Sequence, residues 1–197
     1  MSRYIRNILP VAVALSLAAC GVKNDPRRTL DYYLQACTTS AKDKAAEVSL
    51  GGYMPIVYSY KILRDDGASE EHGDVTAISG VVAEDLRTQA NGVRPEQYEE
   101  NWQAARRAFI HAHPLFSDVY FTVAGGKMFA PPALTRGGAY SIETHRFVVD
   151  LDRQNISSRS RESAREVYTL ARVSFSTTEP TKAGWFIAHS GNVGDKP

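Results

Sequence analysis

From Leu30 the apolar positions recur three or four residues apart, through Leu34, Cys37, Ala41 and Ala45 to Val48. That is one stripe of an amphipathic helix. Asp25-Pro26 supplies an N-cap followed by proline at the first helical position, and Gly51-Gly52 supplies an end. Thr38-Thr39-Ser40 is poor helix material, so a break is expected there. A second stripe, Tyr98, Trp102, Ala105 and Phe109, follows Pro95 and stops at Pro114. Its acids lie early (Glu96, Glu99, Glu100) and its bases late (Arg106, Arg107, His111), as the helix dipole favours.

Apolar runs and period-two alternation predict strands over 56–63, 75–83, 119–124, 127–130, 139–151, 167–177 and 185–189. Gly125-Gly126 fits a two-residue hairpin turn. Within 139–151 the apolar face begins as Tyr140 and Ile142 and continues as Phe147, Val149 and Leu151. This change from even to odd numbers predicts a bulge near 144–146. The polar stretches 64–74 and 152–164 read as loops. Short connections favour antiparallel pairing. The expected fold is α+β: a curved antiparallel sheet of about six or seven strands with two amphipathic helices on one side. The element order is similar to that of the cone-shaped fold of the nuclear transport factor type, and a small barrel with appended helices is the alternative.

The first twenty residues follow a different grammar. Arg3 and Arg6 precede an apolar run over 8–17 that is shorter than the ~20 residues a spanning helix needs. The run ends in Leu17-Ala18-Ala19-Cys20, which resembles the lipobox of bacterial lipoproteins. The resemblance implies recognition of Leu17, Ala18 and Ala19 by the lipoprotein signal peptidase and cleavage before Cys20. It further implies S-diacylglycerol on the Cys20 thiol and an N-acyl chain, palmitate for example, on its amino group. Three acyl chains make a stable membrane anchor, whereas one binds marginally. Gly21 is not the aspartate that retains enterobacterial lipoproteins in the inner membrane. The family rule therefore points to the cell outer membrane, facing the periplasm, with inner membrane or cell surface as alternatives. The expected organisation is a signal peptide over 1–19, a lipidated N-terminus and short tether over 20–28, a single globular α+β domain over 29–191 and a loose end over 192–197.

Charge adds an exclusion. The 23 basic side chains nearly balance the 22 acidic ones, and two of the bases lie in the signal. No general nucleic-acid binder is expected from such a balance. Of the two cysteines, lipidation occupies Cys20, which leaves Cys37 without a partner in the chain. On the first helical stripe it reads as a small buried residue.

Candidate chemistry is sparse. Asp65, Asp66, Glu70, Glu71, His72 and Asp74 crowd one stretch but lack the spacing of a calcium loop. His111 and His113 form a His-x-His pair, as some zinc sites use, yet they stand at a helix end, and no metal or cofactor is expected. His72, His145 and His189 are scattered. Arg153, Arg159, Arg161 and Arg165 gather beside a serine-rich loop, where they read as solubilising charge or as a contact for phosphate or an acidic partner. Tyr98, Trp102 and Phe109 read as core, or as the lining of a ligand pocket. The chain has no P-loop, dinucleotide fingerprint, nucleophile elbow or His-Glu-x-x-His. The expectation is a non-enzymatic component of a bacterial envelope complex for secretion or transfer, with membrane and protein partners. A binding module for a small ligand and an envelope hydrolase are the alternatives.

Overall fold

The computed structural model describes residues 21–49, 54–74, 76, 104, 107–119, 138–176 and 184–193. Helix α1 (Pro26–Thr38) starts as expected: the Asp25 carboxylate accepts the Arg28 amide at 2.8 Å, and Pro26 opens the first turn. It buries Leu30, Tyr33, Leu34 and Cys37. It ends where Thr38 and Thr39 hydroxyls bond to the Gln35 carbonyl and Ser40 takes a positive φ. Helix α2 (Lys42–Glu47) resumes the stripe through Ala45.

Among the described residues the sheet has four strands in the order β1 (Val57–Asp74), β2 (Ala139–Gln154), β3 (Arg161–Phe175) and β4 (Phe186–Asn192), all antiparallel. This corrects the expectation of six or seven strands. Strand β1 runs straight through the polar stretch 64–74 because β2 pairs with it as far as Asp74–Ala139. The described partner of β1 is therefore β2, and the expected strand 75–83 lies essentially outside the described residues. Likewise β2 and β3 extend across most of 152–164. The turn between them is tied by Asn155, whose side-chain carbonyl accepts the Ser157 and Ser158 amides at 2.9 Å. The expected strands 119–124 and 127–130 lie essentially outside the described residues.

The bulge expected near 144–146 is absent from the β2–β3 ladder, which is unbroken from Tyr140–Phe175 to Gln154–Arg161. The even-to-odd switch has another cause. Successive residues of a strand face opposite sides of the sheet. Phe147, Val149 and Leu151 pack with Tyr168, Leu170 and Ile187 beneath α1. Tyr140 and Ile142 pack on the opposite side with Ala171, Val173, Phe186, Phe109 and Phe116. Each face is covered at a different end, and the middle is covered on both, so Tyr168, Thr169, Leu170 and Ala171 are all buried. Helices thus lie on both sides of the sheet, not on one. The second cover comprises helical residues 107–112 and a one-turn helix α3 (Pro114–Ser117). Pro114 ends the former by opening the latter. Among the described residues β1 shifts register against β2 between Val57 and Ser59, Ile62 and Arg64, and Asp65 and Ala68, and the β3–β4 ladder shifts once between Thr169 and Leu170.

Candidate functional site

Leu17, Ala18, Ala19 and Cys20 lie outside the described residues, as do Tyr98 and Trp102. Chain that follows Cys20 closely is built into the domain. The Val22 carbonyl accepts the Thr29 hydroxyl at 2.9 Å, and the Lys23 carbonyl accepts the Trp185 amide at 2.9 Å. Gly184, at φ +74°, permits this approach: a Cβ there would stand 2.7 Å from the Lys23 oxygen. The expected tether over 20–28 is thus pinned to α1 and to the start of β4 from Val22 onward.

Beside this pinned segment, α1 and β1 enclose a cleft of about 290 Å³ lined by Arg27, Arg28, Asp31, Tyr60 and Ile62. The Tyr60 hydroxyl donates to Asp31 Oδ1 at 2.7 Å, and Gln35 Nε2 donates to Asp31 Oδ2 at 2.9 Å. Burial and the Asp31 carboxylate push the Tyr60 phenol up to about 12. Among the described residues, neither Arg27 nor Arg28 has an ion-pair partner. The sequence reading did not single these arginines out. The signal was available, because the Asp25-Pro26 start fixes the helical register and places 27, 28 and 31 on its exposed flank.

Of the arginines that the sequence did single out, Arg153, Arg161 and Arg165 are occupied. Arg165 grips Asp150 at 2.6 and 3.1 Å, and Arg161 pairs with Asp152. Both arginines hold their partner carboxyls below the usual range. Arg165, Asp150 and Asp152, with Ser59, Lys61 and Ser163, border an open depression of about 550 Å³ on the face away from α1. Arg153 bridges Glu162 at 3.0 Å and the buried Glu166, whose carboxyl burial pushes upward against the pull of that arginine. Arg159 stands exposed at the turn with φ +59°.

The acidic stretch does not converge on one point. Asp65 meets His145 at 3.1 Å, Asp66 pairs with Arg64, and Glu70 meets His72 at 2.9 Å. Glu71 lies on the other face, where it accepts the Leu115 and Phe116 amides at 2.8 and 3.1 Å and the Tyr140 hydroxyl at 2.7 Å. Among the described residues no group of three or more His, Cys, Asp or Glu is arranged to hold a metal. His111 is exposed, and His113 packs its ring on Phe109 at 4.5 Å. Phe109 itself is buried against Phe116.

Two histidines do acquire acids. His145 is stacked on Phe147 and meets Trp185 edge-on, with Asp65 as its partner. His189 meets Asp118 at 2.9 Å. Neither has a hydroxyl or thiol among its hydrogen-bond partners in the described residues. Among the described residues the buried hydroxyls of Ser117 and Tyr168 have no hydrogen-bond partner. Cys37 is buried beneath α1, and burial pushes its thiol up to about 11, the opposite of an activated nucleophile.

Compared with protein-family models, with curated proteins and with solved structures, the chain has no match.

Proposed function

We propose that the protein is a lipid-anchored component of the bacterial envelope, non-enzymatic, with membrane and protein partners. The observation that carries this reading is the signal Leu17-Ala18-Ala19-Cys20 behind Arg3, Arg6 and a short apolar run. The pinning of Val22 and Lys23 supports it, because an anchor at Cys20 then sets the position of the whole domain and not merely of a flexible stalk. The polar border of the sheet depression suits a protein surface better than a small apolar ligand. A histidine–acid pair without a nucleophile beside it favours a structural part over hydrolysis.

Acyl labelling tests the anchor. Wild-type chain should incorporate palmitate, and Cys20→Ser should abolish it and leave the precursor uncleaved. Undiminished labelling of that variant would sink the proposal. Gly21→Asp should move the protein from the outer- to the inner-membrane fraction in an enterobacterial host. Crosslinking in the native envelope then identifies the protein partner.

A further inference from the structure

We infer that the cleft between α1 and β1 takes the phosphate group of an anionic membrane phospholipid, bound by Arg27 and Arg28. The inference rests on the anchor reading above. Only Gly21 separates Cys20 from Val22, and an extended chain spans at most about 7 Å over those two steps. Val22 is fixed to the first turn of α1 by the Thr29 hydroxyl, and Lys23 to Trp185. A lipid on Cys20 therefore brings the first turn of α1 to the headgroup layer.

The charges at that end are arranged for an anion. Arg64, Arg153, Arg161, Arg165 and Arg172 each sit on a carboxylate. Among the described residues Arg27 and Arg28 have none, and neither have Lys23, Arg146 and Arg159; what sets Arg27 and Arg28 apart is that both are exposed side by side at the mouth of one cleft. The two acids nearby are turned to neutral donors and Asp31 keeps its charge, so the cleft lining carries two positive groups against one negative. Asp25 caps the helix, and Asp31 takes the Tyr60 hydroxyl and the Gln35 amide. Guanidinium donors match phosphate oxygens in pairs, and the Tyr60 and Ile62 side chains give the cleft an apolar wall for the glycerol end of a headgroup. A cleft of about 290 Å³ admits one headgroup and not an acyl chain as well.

The test uses the processed, lipidated protein in vesicles of phosphatidylcholine, with or without phosphatidylglycerol. Arginines are modified with phenylglyoxal and read by peptide mass. Arg27 and Arg28 should each react about fivefold more slowly when phosphatidylglycerol is present, while Arg159 at the distant turn reacts at the same rate in both. Equal rates at Arg27 and Arg28 in the two vesicles overturn the inference. Equal protection by inorganic phosphate in phosphatidylcholine vesicles also overturns it, because the cleft then takes free phosphate and not lipid. In the double variant Arg27→Gln/Arg28→Gln, phosphatidylglycerol should no longer slow acetylation of the Lys23 amine. Retained protection of Lys23 means that closeness to the membrane, not the cleft, is responsible. The mass of the Cys20 peptide reads the anchor separately. If it carries no lipid, the same modification assay with protein added to vesicles decides the cleft alone: protection supports it, and none overturns it.

Discussion

On the α1 face of the sheet, Leu30, Leu34, Phe147, Val149 and Leu170 meet as apolar surfaces, and a helix of 13 residues covers them. On the opposite face, Tyr140, Ile142 and Val173 meet a cover whose last part is the four-residue α3. A single turn has no helical stability of its own. Its position is set by the Glu71 carboxylate, which accepts two of its amides and the Tyr140 hydroxyl, and by the Asp118–His189 pair beyond it. Gly73 makes room for that joint, since a Cβ there would stand 2.6 Å from both His113 Nδ1 and the Tyr140 oxygen. One face is held mainly by burial and the other by burial plus directed charge. The first should resist changes of solvent charge, and the second should open first.

The largest effect is expected from Phe147→Ala, which removes a fully buried ring under α1 and should cost ~3–5 kcal/mol in denaturant unfolding. A loss below ~1 kcal/mol would place the main core elsewhere. Next comes Glu71→Ala, expected to cost about 2 kcal/mol because it strips the α3 cap and a charged acceptor from Tyr140. Amide exchange should quicken at Leu115 and Phe116 and stay slow at Leu34 and Leu170. Uniform quickening would show that the two faces do not open separately.

Alkali sharpens the comparison further. Burial raises the phenols of Tyr33, Tyr140 and Tyr168, with Cys37, Glu71 and Glu166 as their next largest influences respectively. Each folded phenol therefore holds its proton more tightly than the unfolded one does. Their contribution is complete below the unfolded value of 10.0 and is lost as pH rises above it. Each costs roughly 1.4 kcal/mol per pH unit in that window. Tyr140→Phe should flatten the slope by one phenol; an unchanged slope would mean that Tyr140 titrates normally. The smallest effect is kinetic: a thiol reagent should reach Cys37 far more slowly in the folded protein than after unfolding, and equal rates would put Cys37 at the surface.

Helix α1 was legible down to its cap and its break, because Asp25-Pro26 and Thr38-Thr39-Ser40 are local signals. The lengths of β1 and β3 were not, because 64–74 and 161–166 are polar. Pairing across the sheet, not apolar content, makes them strands. Part of the missing signal is present in retrospect: Arg161 and Arg165 alternate with Glu162 and Glu166, and Asp150 and Asp152 answer them two residues apart. Period-two charge is a strand signature as much as period-two hydrophobicity is. The parity change in β2 was legible too, but it reports a change of covered face, which no local pattern distinguishes from a bulge. The cleft at Arg27 and Arg28 needed the third dimension, since Tyr60 and Ile62 come from another element.

The three register shifts of β1 bear on how the protein keeps its own company. Among the described residues β1 is an outer strand of the sheet, with 18 residues and a largely exposed surface. A long, regular outer strand is a template on which a neighbouring chain can add itself. Each shift inserts an unmatched residue and tightens the local twist, so between Val57 and Ala68 no long run of amides and carbonyls keeps the even spacing that a second copy needs. In copies anchored side by side, as proposed above, that interrupted part of the strand should resist edge-to-edge addition.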